Sequence, residues 1–237
     1  MREPGAPASA LSARRPRPSP PRRDGKMTQP PPWLRTAARN RASRARSSRP
    51  PRVLFVCTGN ICRSAFAASC FRANPMTKGL DVVSAGIMAV VGHGLDDTFA
   101  RIAEGLGADS HEHRARQLTG RILDEADILL VFGPEHREWI LAGHPESSER
   151  VLALGQAGAV LSLLPHGVTI PWWSLAETVL ARRPVPRPED WIDDPYGRGE
   201  HAARITAQAI TDNLGLLADR VSWDGRAEPS GLSSPPR

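Results

Sequence analysis

Short apolar runs alternate along the chain with segments of helical periodicity. The first run, residues 53–57 (VLFVC), does not alternate between apolar and polar positions, which is typical of a parallel strand covered on both faces. In the next segment, Phe66, Cys70 and Phe71 fall on one helical face, and Ser64 stands where a helix N-cap is expected. The pattern predicts a strand, a tight loop and a helix.

The same alternation continues through the rest of the chain and predicts a doubly wound sheet. Further strands are predicted over 80–84, 127–132 and 150–154, and further helices from Asp96 or Asp97 to Gly107, from Pro134, and over about 200–221. Residues 182–199 are too rich in Pro and Gly for regular structure. Strands that alternate with helices indicate an α/β fold with a parallel sheet, whose ligands bind beyond the carboxyl ends of the strands.

Charge divides the chain into a basic arm and an acidic remainder. Residues 1–52 contain 14 basic and two acidic side chains, a net charge of +12, so the rest of the 237-residue chain, whose total is +6, carries −6. The arm also holds 11 of the 23 prolines and few aliphatic residues, so we expect it to be disordered. The predicted division is an arm over 1–52, a folded domain over 53–223 and a disordered tail over 224–237.

The basic arm is open to several interpretations. It could contact nucleic acid or an anionic membrane electrostatically, or act as an organelle transit peptide. We favour one of two interpretations: the arm is a solvated tail, or translation begins near Met27 and the sequence is written too far upstream. We expect at most weak, non-specific contact of the arm with nucleic acid. The chain has no apolar run of about 18 residues and no signal-peptide apolar region. The sequence predicts a cytoplasmic protein without a membrane span.

Three cysteines lie close together at the start of the predicted domain. Cys57, Cys62 and Cys70 fall within 14 residues. An odd number of clustered cysteines disfavours a secreted disulfide framework and favours thiol chemistry, metal binding or packing. Cys70 lies on the apolar face of the first helix, so we expect it to pack in the core.

The loop between the first strand and the first helix has the composition of an anion site. Such a loop presents several backbone N–H groups at the positive end of a helix. Gly59 and Asn60 tolerate the left-handed conformations that a cradle of this kind requires, and Arg63 offers a planar fork that matches two oxygens of a phosphate-like anion. In this field Cys57 is expected to be a thiolate at neutral pH. The prediction is a nucleophile beneath a bound tetrahedral anion.

The stretch VCTGNICRSAFA, residues 56–67, resembles the signature of the low-molecular-weight protein tyrosine phosphatases. The resemblance extends through SAG at 84–86, HRARQLT at 113–119 and DPY at 194–196, in the family's order and spacing. It implies a three-layer α/β sandwich of the phosphotyrosine phosphatase I type, with a four-stranded parallel sheet, helices on both faces and flavodoxin-like winding. Thioredoxin-coupled arsenate reductases are close relatives of this family.

The resemblance implies hydrolysis of aryl phosphate monoesters, chiefly phosphotyrosine in a protein substrate, with neither a cofactor nor a metal. Cys57 would attack phosphorus to give a phosphocysteine, Arg63 and the loop amides would hold the equatorial oxygens, and Asp194 would act first as general acid and then as base. The implied phosphate-binding loop comprises Thr58, Gly59, Asn60, Ile61, Cys62 and Ser64.

The same resemblance assigns supporting positions. Asn60, Ser84 and His113 match residues that form a hydrogen-bond network and lock the loop. Tyr196, the only tyrosine of the chain, matches a residue at the substrate entrance. Ser84, His113 and Tyr196 are thus expected near the phosphate loop although they come from other parts of the sequence.

Three residues beside the catalytic groups stay open to more than one role. Cys62 either closes a reversible disulfide with Cys57 or packs in the core. Ser64 is a helix cap, a hydrogen-bond donor to the thiolate, or both. Asp193 adjoins Asp194, and its side chain is expected to point elsewhere.

The chain departs from the family at the rim of the site and before the acid loop. Gly133 stands where relatives often carry Asp or another polar residue, and no aromatic residue follows SAG, because IMAVVGHG offers aliphatic side chains. The segment 155–188 is longer than expected, and its Trp172 and Trp173 are expected in a docked helix rather than against a partner.

Three rival functions remain. An arsenate reductase of this fold passes electrons through further thiols, but no cysteine follows Cys70. A catalytically impaired phosphate-binding regulator would keep the loop without turnover. A zinc site on Cys57, Cys62 and a histidine is disfavoured by the cysteine spacing and by Arg63, which would repel a cation. The sequence favours the phosphatase.

Overall fold

A four-stranded parallel sheet forms the centre of the molecule. The computed structural model describes residues 49–223, so most of the predicted arm and all of the predicted tail lie outside the described residues. The strands are β1 (Arg52–Cys57), β2 (Asp81–Gly86), β3 (Ile128–Val131) and β4 (Val151–Ala153). They lie in the order β2-β1-β3-β4, and every pairing between them is parallel, which confirms the predicted sheet.

Helices connect the strands and continue beyond them. In the described part of the chain they are α1 (Arg63–Ala73), α2 (Asp97–Gly105), α3 (Gly120–Glu125), α4 (Pro134–Gly143), α5 (Leu154–Leu161), α6 (Leu175–Arg182) and α7 (Gly199–Arg220). A small parallel pair, β5 (Ile170–Pro171) and β6 (Val221–Ser222), joins the segment before α6 to the end of α7. None of the described helices is long and apolar enough to cross a membrane.

Alternate residues of β1 point to opposite faces of the sheet. On one face, Phe55 packs edge-to-face against Phe71 of α1, with ring centroids 5.8 Å apart, in the larger core cluster. On the other face, Leu54 joins Leu123 of α3 and Ile140 of α4 in a second cluster. Helices therefore cover both faces, and the molecule is the three-layer sandwich that the sequence predicts.

Two local expectations are wrong, and a third is confirmed. Leu154, expected to end the fourth strand, is the first residue of α5. Ser64, expected as an N-cap, lies inside α1, whose N-cap position is Cys62 with no side-chain cap bond. Asp96 does cap α2, because its carboxylate accepts two backbone N–H groups of the first turn.

The segment between β4 and the acid loop is folded onto the sheet. Leu175 and Val179 of α6 are fully buried in the larger core cluster, so the helix is docked as expected. Trp172 and Trp173, in contrast, contact each other edge-to-face in a 3₁₀ turn just before it.

At the end of the segment, Asp190 is buried and paired with Arg183. Gly155 of α5 permits this approach, since a Cβ there would lie 2.5 Å from the carbonyl oxygen of Asp190. Helices α5 and α6 thus carry the chain back to the carboxyl end of the sheet.

Candidate active site

The loop between β1 and α1 has all of its carbonyl groups turned outward. The carbonyl oxygens of Cys57, Thr58 and Gly59 accept the N–H groups of Ile87, Met88 and Val90 respectively. The carbonyl oxygen of Asn60 accepts His113 Nε2, and that of Ile61 accepts the N–H of Asp96. Because each peptide group is planar and trans, its N–H points away from its own carbonyl side, toward the centre of the loop. The loop therefore forms a nest of N–H groups at the N-terminus of α1, which is an anion-binding arrangement.

Asn60 orients the hydroxyl group that contacts the nucleophile. It has a φ of 57°, as the loop composition predicts, and is fully buried. Its Oδ1 accepts the N–H of Arg116 at 3.0 Å, so its Nδ2 is the atom that donates to Ser64 Oγ at 2.9 Å. Ser64 Oγ, having accepted that bond, lies 2.9 Å from Cys57 Sγ, within hydrogen-bond distance. Asn60 thus fixes the hydroxyl group that touches the sulfur of Cys57.

The other two cysteines lie in environments that keep them neutral. Burial, followed by the nearby charges of Asp96 and Cys57, raises the pKa of the Cys62 thiol to about 12. Burial likewise raises the pKa of Cys70 to about 12, and Cys70 packs against the larger core cluster, as predicted. Cys57 and Cys62 are both free thiols.

Arg63 joins the phosphate loop to the distant acid loop. Its buried guanidinium contacts Asp194 Oδ2 through Nη2 at 2.5 Å and the carbonyl oxygen of Ile192 through Nη1 at 3.3 Å. The Asp194 side chain is half exposed, and its Oδ1 accepts the N–H of Tyr196 at 3.1 Å. The structure thus brings the predicted nucleophile loop and the predicted general acid to one place, across 131 residues of sequence.

Asp193, the neighbouring carboxylate, points elsewhere, as expected. Its side chain is exposed and lies 3.4 Å from Arg198 Nη1. The same Arg198 nitrogen donates to the carbonyl oxygen of Asp194 at 3.3 Å. Arg198 therefore ties the Asp193 side chain to the backbone of Asp194.

The predicted supporting residues differ in how they contribute. His113 Nε2 donates to the carbonyl oxygen of Asn60 at 2.7 Å, and burial lowers the pKa of His113. Ser84 is buried in β2, and its carbonyl oxygen accepts Arg116 Nε at 2.8 Å. Tyr196 is 69% exposed at the mouth of the site. His113 and Asn60 thus belong to one network, to which Ser84 is linked through Arg116.

Sequence reasoning missed two residues on the first turn of α4. His136 is fully buried, and its Nε2 lies 3.1 Å from both Thr58 Oγ1 and Glu135 Oε1. Glu135 Oε1 also lies 4.0 Å from Arg63 Nη1. The available signal was position, since both residues come shortly after the carboxyl end of β3, where ligands of such sheets bind.

The rim of the site is apolar on the side of β2. The loop after β2 is tied to the phosphate loop by the backbone bonds described above, and it exposes Met88, Val90 and Val91. Val90 and Ile61 are neighbours there, because a Cβ on Gly59 would lie within 3.6 Å of both side chains. Across residues 49–223, no group of three His, Cys, Asp or Glu side chains has a geometry that could hold a metal ion.

Comparisons with known proteins agree with this geometry. The family model described as "Low molecular weight phosphotyrosine protein phosphatase" matches residues 52–157. A Ralstonia solanacearum protein named "Probable low molecular weight protein-tyrosine-phosphatase EpsP" is 40% identical over 104 residues, 44% of this chain and 70% of that protein. The "Protein-arginine-phosphatase" of Geobacillus stearothermophilus is 34% identical over 107 residues, 45% of this chain and 71% of that protein.

A solved structure resembles a larger part of the chain. The tyrosine phosphatase Wzb from Escherichia coli K30 in complex with sulphate superposes with a TM-score of 0.54 and 25% identity. The match covers 71% of this chain and 96% of that one. The structural likeness therefore extends over more of the chain than the family-model match.

Proposed function

The chain belongs to the low molecular weight phosphotyrosine protein phosphatase family, and from this premise we propose that it hydrolyses phosphotyrosine in protein substrates through a phosphocysteine on Cys57. The observation that carries the proposal is the convergence of three groups at one edge of the sheet. Cys57 lies beneath the N–H nest, Arg63 borders it, and Asp194 contacts Arg63 from the opposite loop. These are the nucleophile, the anion receptor and the proton donor that phosphate-ester cleavage requires.

In the first step, Cys57 Sγ attacks phosphorus in line with the ester oxygen. The S–P bond forms as the P–O bond to the aryl group breaks, and Asp194 gives its proton to the departing oxygen. The equatorial oxygens stay bound to Arg63 and the loop N–H groups, which stabilise the charge that develops on them. The products of this step are a free phenol and a phosphocysteine.

In the second step, water hydrolyses the phosphocysteine. Asp194, now ionised, takes a proton from the attacking water, the S–P bond breaks, and the sulfur leaves as a thiolate. The Ser64 hydroxyl is directed at Cys57 Sγ and stabilises that leaving thiolate. Phosphate is released and the loop returns to its starting state.

The rim supports an aromatic phosphoester. Ile61 and Val90 form an apolar wall beside the nest, and Tyr196 stands exposed at the mouth near Asp194. A phenyl ring can pack against aliphatic and aromatic side chains while its phosphate enters the nest. We therefore propose phosphotyrosine as the substrate group, in a phosphorylated protein partner.

Phosphoarginine is a second candidate substrate. The specific observation in its favour is Glu135, a half-exposed carboxylate 4.0 Å from Arg63, which would pair with the guanidinium of a phosphoarginine. A relative 34% identical to this chain is named a protein-arginine-phosphatase. The apolar wall favours the aryl phosphate of the two.

Steady-state kinetics test the proposal. We expect hydrolysis of phosphotyrosine peptides in the presence of a chelator, little turnover of phosphoserine peptides, and no thioredoxin-coupled reduction of arsenate. The Cys57→Ser variant should have no detectable turnover, because a hydroxyl in that site is a far weaker nucleophile than a thiolate. Turnover that survives Cys57→Ser would contradict the mechanism, and a preference for phosphoarginine peptides would replace the proposed substrate.

A further inference from the structure

His136 is a fully buried histidine beside the phosphate loop that the proposed chemistry does not use. It lies in the first turn of α4, where its Nδ1 accepts the N–H of Gly133 at 2.8 Å. A ring nitrogen that accepts from a backbone N–H carries no proton, so the neutral ring bears its proton on Nε2. Burial, together with the charge of Arg63, lowers the pKa of His136 to about 3, which keeps the ring neutral near pH 7.

The Nε2–H of His136 faces two acceptors at once. Thr58 Oγ1 and Glu135 Oε1 each lie 3.1 Å from His136 Nε2. Thr58 directly follows the nucleophile Cys57, and the Glu135 carboxylate faces Arg63 Nη1 at 4.0 Å. The Nε2 proton of His136 thus links Thr58, the residue after Cys57, to the carboxylate that faces Arg63.

Gly133 makes this arrangement possible. A Cβ at Gly133 would lie 2.3 Å from both carboxylate oxygens of Glu135, so a side chain there would displace the carboxylate. Glu135 therefore occupies the space of the missing side chain and supplies a carboxylate from two residues further along. Glu135 thus places a carboxylate where relatives often carry the polar side chain that Gly133 lacks.

We propose that His136 is a positioning residue of the phosphate loop, whose Nε2–H holds the Glu135 carboxylate short of direct contact with Arg63 and fixes the Thr58 hydroxyl. At 4.0 Å the carboxylate helps to orient Arg63 but makes no hydrogen bond to it. This leaves to the phosphate Nε, which has no partner within residues 49–223, and the guanidinium hydrogens not bonded to Asp194 and Ile192. A carboxylate released from His136 would close on Arg63 and compete with phosphate. Thr58, having accepted the bond from His136, turns its own hydrogen away from the ring.

A matched pair of variants isolates the Nε2–H. His136→Asn keeps an acceptor where Nδ1 meets the Gly133 N–H but has no atom at the Nε2 position, whereas His136→Gln places an N–H there. We expect His136→Asn to raise both KM for an aryl phosphate and the inhibition constant of inorganic phosphate about tenfold, with kcat changed less than about threefold. His136→Gln should restore both constants to within about threefold of wild type.

A second change tests whether Glu135 carries the effect. Glu135→Gln, added to His136→Asn, removes the competing charge and should bring the inhibition constant of phosphate back toward the wild-type value. The proposal would be contradicted if His136→Asn and His136→Gln lost phosphate affinity equally and in proportion to the fall in their melting temperatures. So would a double variant that binds phosphate no better than His136→Asn alone.

The kinetic test of this inference rests on the proposed function, because it measures turnover. Two measurements on the wild-type protein test the inference without turnover. Long-range ¹H–¹⁵N NMR of the histidine rings should find the His136 proton on Nε2, and a proton on Nδ1 would overturn the proposal. Calorimetry with inorganic phosphate reports binding without turnover. An enzyme inactive on aryl phosphates but with the expected phosphate affinities would refute the proposed function and leave this inference standing.

Discussion

The phosphate loop, residues 57–64, and the acid loop, residues 191–197, contribute to one site from very different surroundings. In the phosphate loop, Asn60 and Ser64 are fully buried and five successive carbonyl groups are hydrogen-bonded. In the acid loop, Tyr196 is 69% exposed and the Asp194 side chain 49% exposed. The proposed anion receptor is therefore built into the core, whereas the proposed proton donor lies on a surface loop.

The acid loop is anchored to the core at its start, in addition to the contact of Asp194 with Arg63. The N–H of Ile192 donates to the carbonyl oxygen of Phe132 at 2.8 Å, and the carbonyl oxygen of Ile192 accepts Arg63 Nη1. Just before it, buried Asp190 pairs with Arg183 and accepts the N–H of Arg187 at 2.7 Å. The family model ends at residue 157, so the proposed phosphate loop lies inside the matched part of the chain and the proposed acid loop lies outside it.

The largest effect is expected where the two loops meet. Arg63→Lys keeps the charge but loses the planar fork that contacts Asp194 and that we propose to hold two phosphate oxygens. We expect kcat/KM for an aryl phosphate to fall about a thousandfold, since one preorganised donor group contributes about 10²–10³ or more. Phosphate binding measured by calorimetry should also weaken in Arg63→Lys. If this variant lost turnover but bound phosphate as tightly as wild type, the assignment of Arg63 to phosphate binding would be wrong.

A smaller effect, confined to turnover, is expected at the acid. Asp194→Asn removes the proton donor and should lower kcat for phosphotyrosine about a hundredfold or more. Phosphate affinity should stay the same or improve, because the carboxylate beside Arg63 is lost. Asp193→Asn is the matched control: its exposed side chain faces Arg198, so less than about a twofold change in kcat is expected. Equal losses in the two variants would contradict the assignment of Asp194 as the acid.

The anchor of the acid loop should matter less for turnover than for stability. Arg183→Met leaves the Asp190 carboxylate buried without its cation, which costs about 3–5 kcal/mol of unfolding free energy. The displaced acid loop should lower kcat about tenfold, with phosphate binding unchanged. Adding Asp190→Asn should restore much of the melting temperature. A loss of phosphate affinity in Arg183→Met would show that the two loops are not held independently.

The smallest effect on kcat near neutral pH is expected at His136, whose clearest effect is instead on how stability depends on pH. The pKa of His136 is lowered to about 3, so between about pH 6.5 and 3 the unfolded chain binds a proton that the native state does not. Stability is therefore lost as the pH falls, by about 1.4 kcal/mol per pH unit for this group. Urea unfolding at pH 7 and 5 should show a steeper loss for wild type than for His136→Gln. Parallel pH dependence in the two proteins would contradict the buried, neutral ring.

The sequence predicts the phosphate loop well because its determinants are local. The run 53–57, the Gly59-Asn60 pair and Arg63 specify a strand, a left-handed turn and a helix start within 12 residues. The helices α3, α5 and α6 have eight residues or fewer, too short for a clear period against the neighbouring strands. The role of Ser64 as an N-cap is wrong because its hydroxyl is directed at Cys57 instead.

The rest of the site depends on contacts that no local pattern records. Asp194 follows from its motif, yet its contact with Arg63 spans 131 residues and depends on how α5 and α6 fold onto the sheet. His136 meets Thr58 only because β3 pairs with β1, which brings the ends of the two strands together. Such pairings are set by the whole core, so residue types alone do not reveal His136 and Glu135.

The outward carbonyls of the phosphate loop also make it a hub for stability. Each one is bonded to a segment distant in sequence: 87–90 after β2, Asp96 before α2, and His113. An anion that binds the nest restrains all of these segments at once. Because such an anion binds the folded state and not the unfolded chain, its binding adds to the free energy of unfolding. At a concentration roughly 100 times Kd, that amounts to about 2.7 kcal/mol. Phosphate bound as proposed would therefore make the fold more stable as its free concentration rises, besides competing with the substrate.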